Sequence, residues 1–316
     1  MPRLPPHLRT SRRILPQPHR RFSHRSLYAT PHPVSIIHPY CKIDSQLGFR
    51  HSSFFRHSDF LIRHSPPIFL HHGLLGSANL GPIRLSSFQS LHRSLSAAGY
   101  PVHLTHVHPT ASIERRAAQL KRNILSHLHN SPDPHQKVLI LAHSLGGLDA
   151  RYMISRLNMH HRVSTLVTLS TPHAGTTYAD FALRNLSRTG ILRLFTRLGL
   201  DLTGVKDLTP SSAQRFNEQT PDSPEVTYYS ISASQPWHKI PTFLLPSWRV
   251  IHQVEGPNDG LVSVQSSSSH GTPLPPWPAD HWHLVNRHLT LTPRQHNILP
   301  RYLTLLKNLL PSPVQS

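Results

Sequence analysis

Residues 138–147 read VLILAHSLGG, an apolar run that stops on a serine with small residues two positions to either side, Ala142 and Gly146. This is the pattern of a nucleophile elbow. A buried strand delivers Ser144 to a strained turn, and the helix that follows aims its N-terminal amides at the reacting oxygen. Ala142 stands where the strict G-x-S-x-G pattern has its first glycine, and a methyl group is the largest substituent expected there. A serine hydroxyl is a poor nucleophile at neutral pH. The chemistry therefore also needs a general base, a carboxylate to orient that base, and two amide donors for the oxyanion.

Each of these has candidates. His71 to Gly76 spell HHGLLG directly after an apolar run, so Gly73 would permit a sharp turn and the Leu74 N–H would point into the site. The second donor would be the N–H of Leu145, next after the nucleophile. The turn tetrapeptide Pro257-Asn258-Asp259-Gly260 presents Asp259 from a loop, with Asp280 and Glu255 as competing acids. Asp149, in the helix after the elbow, is expected to face away from the site in a salt bridge with Arg151. For the base, Asp280-His281-Trp282-His283 offers two histidines that spacing does not separate, and His270 is a third.

The elements that must position these groups follow from periodicity. Apolar runs at 67–71, 101–107, 137–143, 163–170 and 226–231 read as strands, and 86–98, 113–129 and 145–158 carry helix-period apolar positions. Strand and helix alternate, which is the signature of an α/β domain: a mainly parallel central sheet with helices on both faces. The stretch 176–208 is long for a connection, and it interleaves Phe181, Leu186, Leu194, Phe195 and Leu198 with Arg184, Arg188, Arg193 and Arg197. It is expected to be a helical lid whose apolar face meets lipid and whose arginines meet anionic headgroups. The alternative is an ordinary amphipathic helix packed on the core.

Composition bounds the rest. A chain of 316 residues can bury one full α/β core, expected over 66–316. No apolar run approaches the ~18 residues of a membrane-spanning helix. With 33 Lys+Arg against 14 Asp+Glu the formal charge is +19, suited to anionic surfaces. Residues 1–40 hold seven arginines and no acid, and they lack the continuous apolar core of a secretory signal. Such a leader has the composition of a mitochondrial transit peptide, although Pro2, Pro5, Pro6, Pro16 and Pro18 interrupt an amphipathic helix; a basic tail without an address is the alternative. Residues 41–65 read as a linker. The single cysteine, Cys41, excludes an intramolecular disulfide and a thiolate metal cluster. The 28 histidines are scattered and show no metal-ligand spacing.

From residue 67 to about 286 the chain resembles the bacterial true lipases of the pseudomonad and Burkholderia type and, more closely, the fungal mitochondrial triacylglycerol lipases. The resemblance is carried, in order, by HGLLG at 72–76, HSLGGLDARY at 143–152, TLSTPHAGTTYAD at 168–180, YYSIS at 228–232, NDGLV at 258–262 and H-x-x-x-V-N at 281–286. It implies an α/β-hydrolase fold with a helical lid insertion. It also implies Ser144 as nucleophile, Asp259 as acid, His281 as base, and oxyanion amides from Leu74 and Leu145. The bacterial relatives bind structural calcium through an aspartate two residues after the catalytic histidine, where this chain has His283. A second calcium aspartate lies ahead of their NDG motif, and 242–250 offers no acid here. We therefore expect no calcium site, no other metal and no cofactor, with the loop carrying His281 held by packing through Trp277 and Trp282. The activity implied is hydrolysis of acylglycerol esters through an acyl-enzyme; peripheral contact with an anionic membrane is expected from the positive charge. A phospholipase or acyltransferase on the same fold is the alternative within enzymes. From another class, the chain would be a catalytically silent scaffold binding anionic lipid or RNA. Against RNA stands the lack of aromatic or glycine-rich nucleic-acid motifs.

Overall fold

The computed structural model describes residues 65–76, 79–80, 83–84, 87–188, 203–286 and 297–310, all within the unit His51–Ser316. The expected leader (1–40), the linker apart from Ser65, and 189–202 of the expected lid lie outside the described residues.

In chain order the elements are β1 (Ile68–His71), a short antiparallel pair β2 (Asn79–Leu80) and β3 (Ile83–Arg84), α1 (Gln89–Ala97), β4 (Val102–Leu104), α2 (Ile113–Leu128), β5 (Val138–His143), α3 (Leu145–Arg156), β6 (Val163–Leu169), α4 (Thr177–Arg188), α5 (Thr203–Lys206), α6 (Pro210–Gln219), β7 (Thr227–Ala233), α7 (Leu245–Glu255), α8 (Val264–Ser267), β8 (Thr272–Trp277) and α9 (Leu299–Leu309). Six strands form one sheet in the order β4-β1-β5-β6-β7-β8, and every pairing in it is parallel.

Strand β5 shows why the sheet is covered on both faces. All six of its residues are buried, and they divide alternately: Leu139 and Leu141 join one core with Leu91, Leu95, Tyr302 and Leu306 from α1 and α9. Val138, Ile140 and Ala142 join a second core with Leu120, Ile124, Met153 and Ile154 from α2 and α3. A period of two carries neighbouring side chains to opposite faces, so a continuous apolar run is stable only between two helical layers.

Two expected strands have different limits. The run at 101–107 pairs only over Val102–Leu104. Beyond it the backbone is taken by α2 side chains: Asn123 accepts from the His106 N–H at 3.0 Å, and Gln119 accepts from the His108 N–H at 2.6 Å. The run at 226–231 continues to Ala233. Strand β8, sequence TPLPPW, went unrecognised because it holds three prolines. Proline cannot donate to a ladder and is tolerated at a sheet edge, which is where β8 lies. In the described part of 176–208, α4 is a helix with Ala179 buried and Phe181 exposed.

Candidate active site

Ser144 sits where β5 ends and α3 begins, with φ 57° and ψ −133°. That is a conformation L side chains avoid, and it is held by packing on all sides. The Ser144 N–H donates to the Leu169 carbonyl at 2.9 Å, and the Thr171 hydroxyl donates to the Ser144 carbonyl at 2.9 Å. Gly146 is required by contact: a Cβ there would lie 2.8 Å from the His72 carbonyl oxygen and 2.9 Å from the His71 ring. Gly73 has the same kind of role. Its Cβ would fall 2.6 Å from the Ser144 Cβ and 3.1 Å from Oγ, so close approach to the nucleophile, not a turn dihedral, demands glycine there. The left-handed residue of HHGLLG is Leu75, at φ 57°.

Asp259 is wholly buried in the turn after α7. Its Oδ1 accepts from the Leu261 and Val262 N–H groups at 2.9 and 2.8 Å, and its Oδ2 lies 2.6 Å from His281 Nδ1. The His281 N–H donates to the Asp259 carbonyl at 2.9 Å, so backbone and side chain together fix the pair. His143 donates from Nε2 to the His281 carbonyl at 2.9 Å, and the two rings lie 4.4 Å apart. Ser144 and His281 line one cavity of about 230 Å³ at the carboxyl ends of the strands, the usual place for a site in an open parallel sheet. Leu74, Ala179, Ala182, Val205, Leu208 and Leu261 are among its apolar walls.

The competing candidates are engaged elsewhere. Glu255 Oε1 accepts from the N–H and hydroxyl of Thr177 at 2.8 and 2.7 Å, tying α4 to α7. Asp280 Oδ1 accepts from the Trp282 and His283 N–H groups at 2.9 and 3.0 Å, capping a 3₁₀ turn. His270 pairs with Asp222 at 2.8 Å, outside the residues that line the Ser144 cavity. His283 is buried and lines a different cavity.

Asp149 requires a correction. It is wholly buried and ion-paired, but with Arg116 of α2: Arg116 Nε donates to Asp149 Oδ2 at 2.8 Å. Arg151 instead donates to Asn217 Oδ1 at 2.8 Å. The remaining Arg116 donors go to the His108 carbonyl at 2.6 Å and the His72 carbonyl at 2.7 Å. His71 Nε2 meets the same Asp149 oxygen at 2.9 Å, and its Nδ1 lies 2.8 Å from the Thr105 hydroxyl. Burial holds His71 below its usual range. The neutral ring then donates from Nε2 to the carboxylate. Burial, reinforced by Arg116, also pushes His72 down to about 3.

The loop carrying His281 is held by more than the two tryptophans. Trp277 packs edge-on against Tyr302 at 5.0 Å, and Trp282 lies tilted against Phe243 at 4.9 Å. Hydrogen bonds add to this: the Tyr302 hydroxyl donates to the Leu284 carbonyl at 2.7 Å, and Asn286 Nδ2 to Ser90 Oγ at 3.0 Å. Leu74 lines the cavity, and Leu145 is the first residue of α3, where an N–H has no partner within the helix. Sequence reasoning missed Arg116. Its signal was an arginine on the buried stripe Ile113, Arg116, Ala117, Leu120 and Ile124 of an otherwise amphipathic helix.

Residues 105–269, more than half of the chain, match the family described as "Putative serine esterase (DUF676)"; the span includes Ser144 and Asp259. Over 180 residues the chain is 33% identical to Triacylglycerol lipase 2 of Saccharomyces cerevisiae, covering 55% of this chain and 54% of that protein. The chain thus spans about half the length of the curated relative it matches. Among solved structures, the mature form of the Bacillus licheniformis lipase BlEst2 superposes with a TM-score of 0.59 at 24% identity, covering 77% of this chain and 92% of that one. The Staphylococcus hyicus lipase superposes with a TM-score of 0.61 at 18% identity, covering 78% and 95%. These two likenesses establish the α/β-hydrolase fold. With the family match spanning the elbow and the acid turn, this chain belongs to the DUF676 serine esterase family.

Proposed function

We propose that the protein is a serine carboxylic-ester hydrolase that cleaves acylglycerols through an acyl-enzyme intermediate. The observation that carries this reading is the 2.6 Å Asp259–His281 pair opening onto the same apolar cavity as a serine held at φ 57°. With the Nδ1 proton held by Asp259, the imidazole lone pair is on Nε2 and takes the Ser144 proton as Oγ attacks the ester carbonyl. The Leu74 and Leu145 amides receive the oxyanion, one from the loop after β1 and the other from the first residue of α3. His281 then protonates the departing alcohol, and water repeats the attack on the acyl-enzyme. Asp259 stabilises the transient imidazolium.

Support for an acyl substrate comes from the cavity wall, where aliphatic side chains predominate and, among the described residues, no Asp, Glu, Lys or Arg contributes. Triacylglycerol as the natural ester, and kinship with the fungal mitochondrial and pseudomonad-type lipases, rest on the motifs at 72–76, 143–152, 168–180 and 281–286 and on the yeast relative's name. Residues 176–208 serve as a lid, supported by Tyr178, Ala179 and Ala182 of α4 on the cavity wall and Phe181 exposed beside them. The acid-free basic leader directs the chain to the mitochondrion, where the positive charge favours peripheral contact with anionic membrane. Hydrolysis of p-nitrophenyl esters over a ladder of acyl lengths, below and above substrate solubility, tests the reading. Turnover that persists in Ser144→Ala would remove it.

A further inference from the structure

At the β8 edge of the sheet, β7, β8 and α9 line a second, open cavity of about 740 Å³ that shares no described lining residue with the one at Ser144. Its size is that of small-molecule sites, roughly 300–1,000 Å³. The floor is apolar: Ile231 and Leu274, partners across the β7–β8 ladder, together with Trp277 and Leu305. The charged groups at its wall are Lys239 and Arg301, and no Asp or Glu lines it among the described residues. Arg301 is exposed in the first turn of α9 and has no ion-pair partner among the described residues. An apolar trough with cations at its rim matches an elongated hydrocarbon ending in an anion: the chain gains burial, and the head gains charge-assisted hydrogen bonds.

We propose that this cavity binds a fatty-acid anion, with the chain against Ile231, Leu274, Trp277 and Leu305 and the carboxylate at Arg301. The choice of carboxylate over other anionic heads rests on the ester hydrolysis proposed above, which releases that group; the site itself does not. The occupant would lie against the segment that holds the catalytic imidazole, because His283 lines the cavity and Trp277 packs on Tyr302, whose hydroxyl holds the Leu284 carbonyl.

The test uses the full chain with its first cavity filled by reaction with a long-chain alkyl fluorophosphonate, titrated with dansyl-undecanoate. We expect saturable binding to the inactivated protein, displaced by oleate but not by oleyl alcohol. Arg301→Glu should weaken it at least about tenfold. Thr304→Trp, at an exposed position on the cavity wall, should abolish it with thermal melting unchanged. No binding to the inactivated protein, equal displacement by oleyl alcohol, or binding indifferent to both substitutions would overturn the proposal. Should the fluorophosphonate fail to react, the hydrolase reading falls, and the second cavity is judged by whether Arg301→Glu and Thr304→Trp weaken probe binding in the Ser144→Ala background.

Discussion

Arg116 donates to the His72 carbonyl at 2.7 Å while its Nε holds Asp149 at 2.8 Å, so one buried guanidinium ties the loop that follows β1 to the helix that follows Ser144. Those two segments carry Leu74 and Leu145. The spacing of the two proposed oxyanion donors is therefore set by an ion pair that touches neither the substrate nor the nucleophile. Arg116→Met should leave Asp149 as an uncompensated buried charge and cost about 3–5 kcal/mol of stability. Arg116→Lys keeps the charge but loses the fork. In it, kcat should fall by at least about tenfold with KM nearly unchanged, the pattern of an interaction realised in the transition state. Steady-state kinetics beside thermal melting separates the two effects.

The dihedral strain at Ser144 predicts a trade between stability and activity. Glycine adopts φ 57°, ψ −133° without a Cβ penalty, so Ser144→Gly should raise stability by about 1–3 kcal/mol while turnover is lost. Chemical denaturation of the pair reads this directly. A less stable Ser144→Gly protein would mean that the elbow is unstrained in solution.

Much of this site was legible from local sequence. Ser144 was marked by the residues around it, because an elbow needs a strand, a sharp turn and small neighbours within ten positions. Asp259 and His281 were harder. Spacing left Glu255 and Asp280, and His270 and His283, as competitors, since a convergence of distant loops has no local signature; resemblance made the choice. Arg116 was missed because a lone arginine in an amphipathic helix reads as solvated until its position on the buried stripe is noticed. Strand β8 was missed because its prolines deny it a strand's usual composition. The partner of Asp149 was misjudged for a related reason: Arg151 is near in sequence, but its side chain is drawn to Asn217.

Burial lowers His72 from its ordinary 6.5 to about 3. The folded state therefore favours the neutral ring, and the unfolded chain takes up its proton first as pH falls. The stability linked to His72 is fully present above about pH 6.5 and is lost as pH falls toward about 3. The buried rings His71 and His173 are lowered as well and act in the same direction. His72→Asn should flatten the dependence of denaturation midpoint on pH across this window. A slope identical to wild type would show that this ring does not carry the linkage.

Ala182 lies on the cavity wall contributed by α4. Ala182→Trp should shorten the acyl group the site accepts: p-nitrophenyl acetate turnover within a few-fold of wild type, with palmitate turnover reduced at least about hundredfold. An unchanged chain-length profile would place the acyl group elsewhere.

In the proposed mechanism the hydroxyl of Ser144, the imidazole of His281 and the carboxylate of Asp259 act as one proton-transferring unit. Intact-mass measurement after brief exposure to a fluorophosphonate tests it most directly. A single adduct mapped to Ser144 is expected, absent in Ser144→Ala and His281→Ala and strongly slowed in Asp259→Ala. An adduct on another residue, or labelling of Ser144 at the wild-type rate without His281, would contradict it.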